Sequence, residues 1–241
     1  MAVELSSRRG SKKGHSLSRN GTTVLITGSS SGIGRETAYR FALEGATVIL
    51  TYFHGQARGE RAEARCRRLG AKKTLLLHLD VTDTRSVDAA KAKVRRKFGR
   101  IDFLINNAGV LDSLLFRKQT PRQIERQIRT NLEGLIRMTH ALLPIVRKGI
   151  INIASAAGEE AYPEMSTYCG SKFGVRGFTQ ALRQEEKRLK IACVNPDQTA
   201  TRLSGYVGRP PAEVAEVVFR TVTGKAKTNR LGDVDVWDVI P

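Results

Sequence analysis

Short runs of apolar and β-branched residues alternate along the chain with longer stretches whose apolar positions recur at helical spacing. The short runs predict buried strands, and the longer stretches predict amphipathic helices between them. We predict seven strands, at residues 22–27, 46–52, 74–79, 101–106, 150–155, 191–195 and 234–239. We predict helices at residues 32–43, 59–69, 84–98, 121–146, 166–189 and 211–222.

Apolar strands separated by helical crossovers are typical of a parallel sheet that is covered on both faces. The predicted fold class is therefore α/β, a single doubly wound, Rossmann-type parallel sheet of seven strands with helices on both faces. We assign residues 21–241 to this one catalytic domain. Residues 1–20 form a basic arm, and the abundance of Ser, Gly, Lys and Arg from Ser6 to Asn20 predicts that the arm is disordered.

The formal net charge of +18 divides between the arm and the rest of the chain. Five basic residues against Glu4 give the arm +4, so +14 belongs to the folded part. Such an excess is compatible with a nucleic-acid binder, an enzyme for acidic substrates, or a basic solvated surface. Much of it lies on predicted helices, for example at residues 91–100, which favours the solvated surface.

The chain has three widely spaced cysteines and four isolated histidines. Without a C-x-x-C or H-E-x-x-H pattern they indicate no disulfide framework and no metal site, and they suit a reducing compartment. No apolar run reaches the roughly 18 residues that a membrane-spanning helix requires. We therefore expect a cytoplasmic protein with no membrane span.

The first predicted strand runs into a glycine-rich loop, Thr27 to Arg35, which opens directly into a helix. Gly28, Gly32 and Gly34 let the backbone turn tightly and approach a pyrophosphate, whose charge is favoured at a helix N-terminus. The spacing is G-x-x-x-G-x-G and not G-x-G-x-x-G, and a glycine-rich loop can also be only a turn. Its place in the first strand–helix unit favours dinucleotide binding.

The end of the second predicted strand carries no acidic residue. Dinucleotide sites commonly place an Asp or Glu there to bind the ribose 2′-hydroxyl, but no acid occurs from residue 45 to residue 59. An acid would repel a 2′-phosphate. Its absence, together with Arg35 just after the glycines, predicts that NADP(H) is preferred over NAD(H). Tyr52 lies at this strand end, and His54 and Arg58 are candidates to assist.

Tyr168 and Lys172 are four residues apart on a predicted helix and therefore share a face. A free phenol has a pKa of about 10, too high for efficient acid–base work near neutral pH. A neighbouring ammonium, together with the positive nicotinamide, stabilises the phenolate and lowers that pKa. Ser155, which ends the fifth predicted strand, is a candidate to hydrogen-bond the substrate oxygen. By itself, a tyrosine–lysine pair at this spacing also arises by chance in many helices.

Several motifs follow one another in a fixed order, each at a strand end or in the following helix. They are the glycine loop, Leu79-Asp80-Val81, Asn106-Asn107-Ala108-Gly109, Asn131, Ser155 and the Tyr168/Lys172 pair. In this combination the chain resembles the classical short-chain dehydrogenase/reductase family over residues 22–239. The resemblance implies a Rossmann-type, nicotinamide-dependent oxidoreductase.

The resemblance also implies the roles of the catalytic residues. Ser155 would position the carbonyl, and Tyr168 would be the general acid in reduction. Lys172 would hold the nicotinamide ribose as well as assist the tyrosine. Asn131 would hold a water that links Lys172 to solvent; the alternative is that it is an ordinary polar residue of a helix.

The cofactor contacts implied by the resemblance spread over several loops. Asp80 would bond the adenine amino group with Val81 beside the ring, although Asp80 can equally be a helix or turn cap. The other residues implied to line the cofactor are Gly28, Ser30, Ser31, Gly32, Ile33, Gly34, Arg35, Tyr52, Asn107, Ala108 and Gly109, with Tyr168 and Lys172.

After the sixth predicted strand the sequence departs from the family pattern. Asp197 replaces the usual glycine after Pro196, although Asp tolerates unusual backbone angles better than most residues. The resemblance counts Pro196 among the cofactor-binding residues, and it places Thr199 and Thr201 against the nicotinamide carboxamide, the first through its backbone and the second through its hydroxyl. The connection to the helix at Pro211 is short where relatives carry a lid, so we expect an open cleft.

We expect an NADP(H)-dependent oxidoreductase that transfers a hydride between nicotinamide and the carbonyl or alcohol carbon of a small molecule. A 3-oxoacyl-carrier-protein reductase is one substrate hypothesis, because a basic face would attract an acidic carrier protein. The alternative of another class is a non-catalytic cofactor-sensing or nucleic-acid-binding module. The intact Ser155–Tyr168–Lys172 set opposes it, and we expect no specific nucleic-acid partner. Similar proteins pair through helices corresponding to residues 123–146 and 166–189, so we expect a homodimer or homotetramer.

Overall fold

Seven parallel strands form one sheet in the computed structural model, which describes residues 21–240. Their order across the sheet is β3-β2-β1-β4-β5-β6-β7. The predicted seven-stranded, doubly wound α/β fold is confirmed. The strands are β1 (Thr23–Ile26), β2 (Thr47–Tyr52), β3 (Lys73–His78), β4 (Ile101–Asn106), β5 (Val146–Ile153), β6 (Lys190–Asn195) and β7 (Val234–Asp235).

Helices cover both faces of the sheet because successive strand residues point to opposite sides. Val24 and Ile26 of β1 belong to a core that includes residues of α1, α2 and α7, whereas Leu25 belongs to a core with residues of α3, α5 and α6. The helices are α1 (Gly32–Leu43), α2 (Gln56–Arg68), α3 (Thr84–Phe98), α4 (Pro121–Ile128), α5 (Gly134–Leu142), α6 (Ser166–Glu185), α7 (Pro211–Val222) and α8 (Val236–Val239).

The strand order reverses at β1, which pairs with β2 on one side and with β4 on the other. The loops that leave the carboxyl ends of β1 and β4 therefore diverge to opposite sides and open a crevice. Ligands of doubly wound sheets bind at such a switch point. The glycine-rich loop follows β1 directly, so the topology places it in this crevice.

The prediction of one long helix at residues 121–146 is wrong. The structure has α4, a five-residue π-helix at Arg129–Glu133, α5 and a 3₁₀ turn at Leu143–Ile145, and β5 begins at Val146. Pro144 cannot donate a helical hydrogen bond, which explains why the helix ends there. The strand predicted at 150–155 therefore begins four residues earlier and ends at Ile153.

Other predicted boundaries also shift. The helix predicted at 59–69 begins at Gln56, and the one predicted at 166–189 ends at Glu185. The strand predicted at 234–239 contains only two strand residues, and the rest forms the single turn α8. Val234 and Val236 are both fully buried, and a pattern of so few apolar positions does not distinguish a strand from a helical turn.

The predicted arm at residues 1–20 lies outside the described residues, and the assignment of residues 21–241 to one domain stays a prediction. Within the described part of the chain, no helix has the length and apolar character needed to cross a membrane.

A buried carboxylate fastens the segment before β7 to helix α6. Asp233 is fully buried, and its two oxygens accept hydrogen bonds from Arg176 Nε at 3.2 Å and Arg183 Nη2 at 2.9 Å. Arg176 Nη1 also donates to the carbonyl oxygen of Gly158 at 2.8 Å. Two cations and one carboxylate thus join the C-terminal strand, α6 and the turn that follows β5.

We expect Asp233→Asn to lower the free energy of unfolding by about 3 kcal/mol, because it removes the buried carboxylate that pairs with Arg176. A second partner, Glu159, is partly exposed, and its Oε2 lies 3.6 Å from Arg176 Nη1. Urea titration followed by circular dichroism measures the change. Glu186→Gln, which removes the partner of the exposed Arg188, is the matched control and should cost less than about 1 kcal/mol. Equal losses in the two variants would contradict the structural role of Asp233.

Candidate active site

The glycine-rich loop has a backbone shape that side chains would disturb. Gly28 and Gly32 have φ angles of 65° and 55°, in the left-handed region that favours glycine. A Cβ on Gly34 would overlap the side-chain amide of Asn107 and lie 2.7 Å from the carbonyl oxygen of Gly28. The loop is therefore packed directly against the residue that follows β4.

The N-terminus of α1 is suited to bind an anion. Its N-cap residue, Ser31, is extended and makes no side-chain hydrogen bond to the helix, and the first turn carries no acidic residue. The first backbone N–H groups of α1 thus donate no hydrogen bond to a capping side chain. Together with the glycine cradle, this arrangement fits the pyrophosphate of a dinucleotide.

Two threonines that the sequence motifs did not single out hold this loop in place. Thr51 Oγ1 accepts from the Gly28 N–H at 2.9 Å, and the Thr51 N–H donates to Ser29 Oγ at 2.8 Å. Thr27 Oγ1 accepts from the N–H groups of Asn107 and Ala108 at 2.8 and 2.9 Å. Only the buried strand-end position of each threonine was visible in the sequence.

The predicted adenosine end of the site lies at the ends of β2 and β3. Tyr52 is half-buried and packs edge-to-face against His78, with the ring centroids 5.4 Å apart. Asp80 Oδ1 accepts from both the N–H and the hydroxyl of Thr82 at 2.8 Å, so this carboxylate does cap a turn. Val81 is buried beside it. Asp80 therefore has the turn-capping role, and its contact with the adenine stays a prediction.

Arg35 is engaged by a neighbouring carboxylate. Its Nε and Nη2 donate to Glu36 Oε1 at 3.0 and 2.7 Å, and its guanidinium lies 5.9 Å from the centre of the Tyr39 ring. The Arg35 side chain is 43% exposed. A 2′-phosphate would therefore compete with Glu36 for this guanidinium, a competition that the sequence motif did not indicate.

Tyr168 and Lys172 lie one turn apart on α6 and are both buried. Lys172 Nζ donates to the carbonyl oxygen of Ile153 at 2.9 Å and lies 5.6 Å from the centre of the Tyr168 ring. The sequence pattern predicts that Ser155 ends the fifth strand, but β5 ends at Ile153. Ser155 instead caps the following 3₁₀ turn by accepting from the Ala157 N–H at 3.1 Å. β5 and α6 thus bring the predicted serine, tyrosine and lysine together.

Burial dominates the acid–base properties of this pair. Desolvation raises the pKa of Tyr168 to about 12, and a hydrogen bond with Ser155 acts in the opposite direction. Desolvation also lowers the pKa of Lys172 to about 8. In the protein chain alone, the expected lowering of the phenol pKa is therefore outweighed by burial, and Tyr168 is protonated at neutral pH, the form that a general acid requires.

Asn131 lies in the π-helical turn between α4 and α5 and is almost fully buried. Its side chain accepts from the Val110 N–H at 2.8 Å, and its amide donates to the Val110 carbonyl at 2.9 Å and to Ser171 Oγ at 3.1 Å. A Cβ on Gly109 would lie 3.4 Å from Asn131 Oδ1 and 3.9 Å from Lys172 Nζ. Asn131, Gly109 and Lys172 therefore converge, and the π-turn is a feature that often marks functional sites.

The residues after β6 close the same crevice. The carbonyl oxygen of Pro196 accepts from the Ala156 N–H at 2.8 Å, beside Ser155. Thr201 packs against the glycine loop, because a Cβ on Gly32 would lie 3.3 Å from Thr201 Cγ2. The Thr201 hydroxyl, predicted to face the carboxamide, accepts from the Leu203 N–H at 3.2 Å, and the Thr199 hydroxyl donates to the Asp197 carbonyl at 2.9 Å.

The crevice thus gathers the glycine loop, residues 107–109, Asn131, Ser155, Tyr168, Lys172 and residues 196–201, while Tyr52, Asp80 and Val81 lie at or just beyond the ends of β2 and β3. Across residues 21–240, no group of three or more His, Cys, Asp or Glu side chains is placed to hold a metal ion.

The model of the short chain dehydrogenase family matches residues 22–211. The chain belongs to the short-chain dehydrogenase/reductase family. It is 36% identical over 220 residues to estradiol 17-beta-dehydrogenase 11 of Pongo abelii, covering 85% of this chain and 71% of that one. It is 36% identical over 197 residues to an NADP-dependent 3-hydroxy acid dehydrogenase of Schizosaccharomyces pombe, covering 77% and 74%.

A solved structure extends the similarity to the whole fold. The crystal structure of a variant of actinorhodin polyketide ketoreductase with NADPH superposes with a TM-score of 0.82 at 26% identity, covering 91% of this chain and 97% of that one. The chain is therefore a short-chain dehydrogenase/reductase that acts on a CH–OH or C=O group with a nicotinamide cofactor.

The lowered pKa of Lys172 predicts how stability depends on pH. The unfolded chain holds this proton up to a pKa near 10.5 and the folded chain only up to about 8, so between these values the unfolded state binds more protons. Raising the pH through this window should stabilise the wild type relative to Lys172→Met, and the gain should be lost as the pH falls through 8. Urea unfolding of both proteins without cofactor, at several pH values, measures the difference between their free energies of unfolding. A difference that does not change with pH would contradict a lowered pKa of Lys172.

Proposed function

We propose that this enzyme is an NADP(H)-dependent carbonyl reductase or alcohol dehydrogenase in which Tyr168 is the general acid and base. The convergence of Ser155, Tyr168 and Lys172 beside the dinucleotide crevice carries this proposal. Ser155 and Lys172 are held by contacts that do not depend on a ligand, Ser155 by the 3₁₀ turn and Lys172 by the carbonyl of Ile153. A hydrogen bond links the Tyr168 hydroxyl to Ser155.

The bound cofactor supplies a hydride donor or acceptor and a positive ring when oxidised. In reduction, Ser155 donates a hydrogen bond to the substrate oxygen and orients it toward the Tyr168 hydroxyl. Tyr168 transfers its proton to that oxygen as negative charge develops there. Lys172 then stabilises the phenolate, and Asn131, fixed by Val110 and Ser171, supports a path by which the phenol regains its proton.

The same arrangement serves oxidation in the opposite direction. Tyr168 then accepts the alcohol proton, which requires its pKa to fall from about 12. A positive nicotinamide and the ammonium of Lys172 act in that direction, because opposite charge favours the ionised form of the phenol. Burial alone does not lower this pKa, because it disfavours the charged phenolate. Tyr168 therefore acts as a base only when the oxidised cofactor is bound.

The preference for NADP(H) rests on the sequence after β2 and on Arg35. Tyr52, Phe53 and His54 supply no carboxylate that would repel a 2′-phosphate. Arg35 is half-exposed at the start of α1, so its guanidinium is accessible once Glu36 is displaced. The NADP-dependent hydroxy acid dehydrogenase relative and the NADPH-bound ketoreductase support this choice. A 3-oxoacyl-carrier protein as substrate stays a prediction.

Self-association and location also stay proposals. Ile128 of α4, Ile136 of α5 and Phe173 of α6 are exposed apolar side chains on helices that the family resemblance places at subunit contacts, which supports a homodimer or homotetramer. Cys66, Cys169 and Cys193 are all buried and free, which supports a reducing, cytoplasmic environment.

Tyr168→Phe should reduce turnover by about 10²-fold or more, because it removes the transferable proton and almost no volume. NADPH oxidation with a panel of small carbonyl compounds measures the rate, and NADPH fluorescence measures binding, which should be unchanged. Tyr162→Phe is the matched control, since the hydroxyl of Tyr162 bonds the exposed Glu160. Retention of more than about a tenth of wild-type turnover by Tyr168→Phe would refute the assignment.

We expect the wild type to bind NADPH at least about tenfold more tightly than NADH, and Arg35→Ala to narrow this gap by weakening NADPH alone. Glu36→Gln is the complementary variant. Because it frees the guanidinium of Arg35 from its carboxylate, it should keep or raise NADPH affinity. Titration of both cofactors against the three proteins decides the question, and equal affinities of the wild type for NADPH and NADH would exclude a phosphate pocket.

A further inference from the structure

An ion pair between Asp197 and Arg209 holds together the two ends of the segment that joins β6 to α7. Asp197 is the residue that replaces the usual glycine of the family pattern. Arg209 Nε lies 3.0 and 3.2 Å from the two oxygens of Asp197, and Arg209 Nη2 lies 3.0 Å from Asp197 Oδ2. Arg209 Nη1 donates to Glu213 Oε2 of α7 at 3.0 Å. The Arg209 side chain is only 14% exposed.

Backbone contacts reinforce the same closure. The Ala200 N–H donates to the Arg209 carbonyl, and the Arg209 N–H donates to the Gln198 carbonyl, each at 2.8 Å. Gly208 has a φ angle of 113°, and a Cβ there would overlap the carbonyl oxygen of Gln198. The two ends of the segment are thus held together by a side-chain fork and a short parallel bridge.

This closed segment contacts both halves of the active site. On one side, Pro196 next to Asp197 accepts from the Ala156 N–H beside the catalytic Ser155. On the other side, Thr201 packs against Gly32 of the glycine loop. A shift at the base of the segment would therefore be transmitted to the wall of the cofactor crevice and to the substrate-binding turn.

We propose that Asp197 and Arg209 are a positioning pair that fixes residues 198–208 before any ligand binds, so that Thr199 and Thr201 already line the crevice. This rests on the proposed function only in taking the crevice to be the cofactor site. A segment fixed in advance avoids the entropy loss of ordering a loop on binding.

The geometry separates this pair from the many exposed ion pairs that contribute little. The fork is bidentate, Arg209 is largely buried, and a second carboxylate from α7 completes its coordination. Charge-assisted bidentate pairs fix relative orientation as well as distance. Loss of either partner should therefore loosen the segment and leave the sheet intact.

The test compares Asp197→Asn, Arg209→Gln, the double variant and the control Arg188→Gln, whose arginine pairs with Glu186 on the surface. Two readouts are used: the NADPH dissociation constant from fluorescence, and the rate of limited trypsin cleavage after Arg202, an exposed residue within the segment. We expect each single variant to bind NADPH about tenfold more weakly and to be cut at Arg202 about tenfold faster.

The pattern of effects distinguishes positioning from general destabilisation. The double variant should be no worse than the worse single variant, because both remove one interaction. The proposal fails if the single variants match Arg188→Gln in either readout, or if cleavage spreads over the whole chain. Because proteolysis needs no turnover, a wild type inactive on every carbonyl would count against the proposed function alone.

Discussion

The contact between the loop after β1 and the residues after β4 is the constraint on which the site depends. Thr27 accepts from two consecutive backbone N–H groups beyond β4, and Asn107 donates back to the carbonyls of Thr27 and Gly28. Gly34 must lack a side chain for this approach to be possible. Because β1 pairs directly with β4, the contact fixes the glycine loop relative to the strand that delivers Gly109 and, through Val110, Asn131.

In the proposed mechanism, catalysis depends on burying a phenol and an ammonium, two groups that water solvates well. Placing Tyr168 and Lys172 in the protein interior raises the pKa of the phenol and lowers that of the ammonium, so burial brings the lysine toward neutral pH and takes the tyrosine away from it. The Ile153 carbonyl compensates part of the cost for Lys172 by accepting its hydrogen bond. The protein chain thus favours the protonated phenol, and the charge of a bound oxidised cofactor is needed to favour the phenolate.

Charged residues in the C-terminal half of the chain fix the other segments around the crevice, namely the turn after Ser155 and the segment between β6 and α7. Arg176 connects the turn after Ser155 with Asp233, and Arg209 connects Asp197 with α7. Both arginines contact backbone or carboxylate groups on two separate elements at once. Such forks suit arginine, whose planar guanidinium offers several donors in fixed directions. Part of the large basic excess of the chain is therefore structural rather than an exposed surface for partners.

Local patterns along the sequence determined the parallel sheet, the glycine loop, the order of motifs and the Tyr168/Lys172 pair, because each is set by residue type and spacing within one element. Only the tertiary structure decided which groups those residues bind. The π-turn at Asn131 depends on contacts with Val110 and Ser171 rather than on periodicity. The end of the helix before β5 had a local signal in Pro144, which the predicted helix overran. The side-chain partners of Thr27, Thr51 and Arg176, and the Asp197 partner of Arg209, lie 12 to 81 positions away, and no local pattern encodes a contact of that range. The opposing pKa shifts of Tyr168 and Lys172 follow from burial, which exists only once the sheet and its helices have assembled.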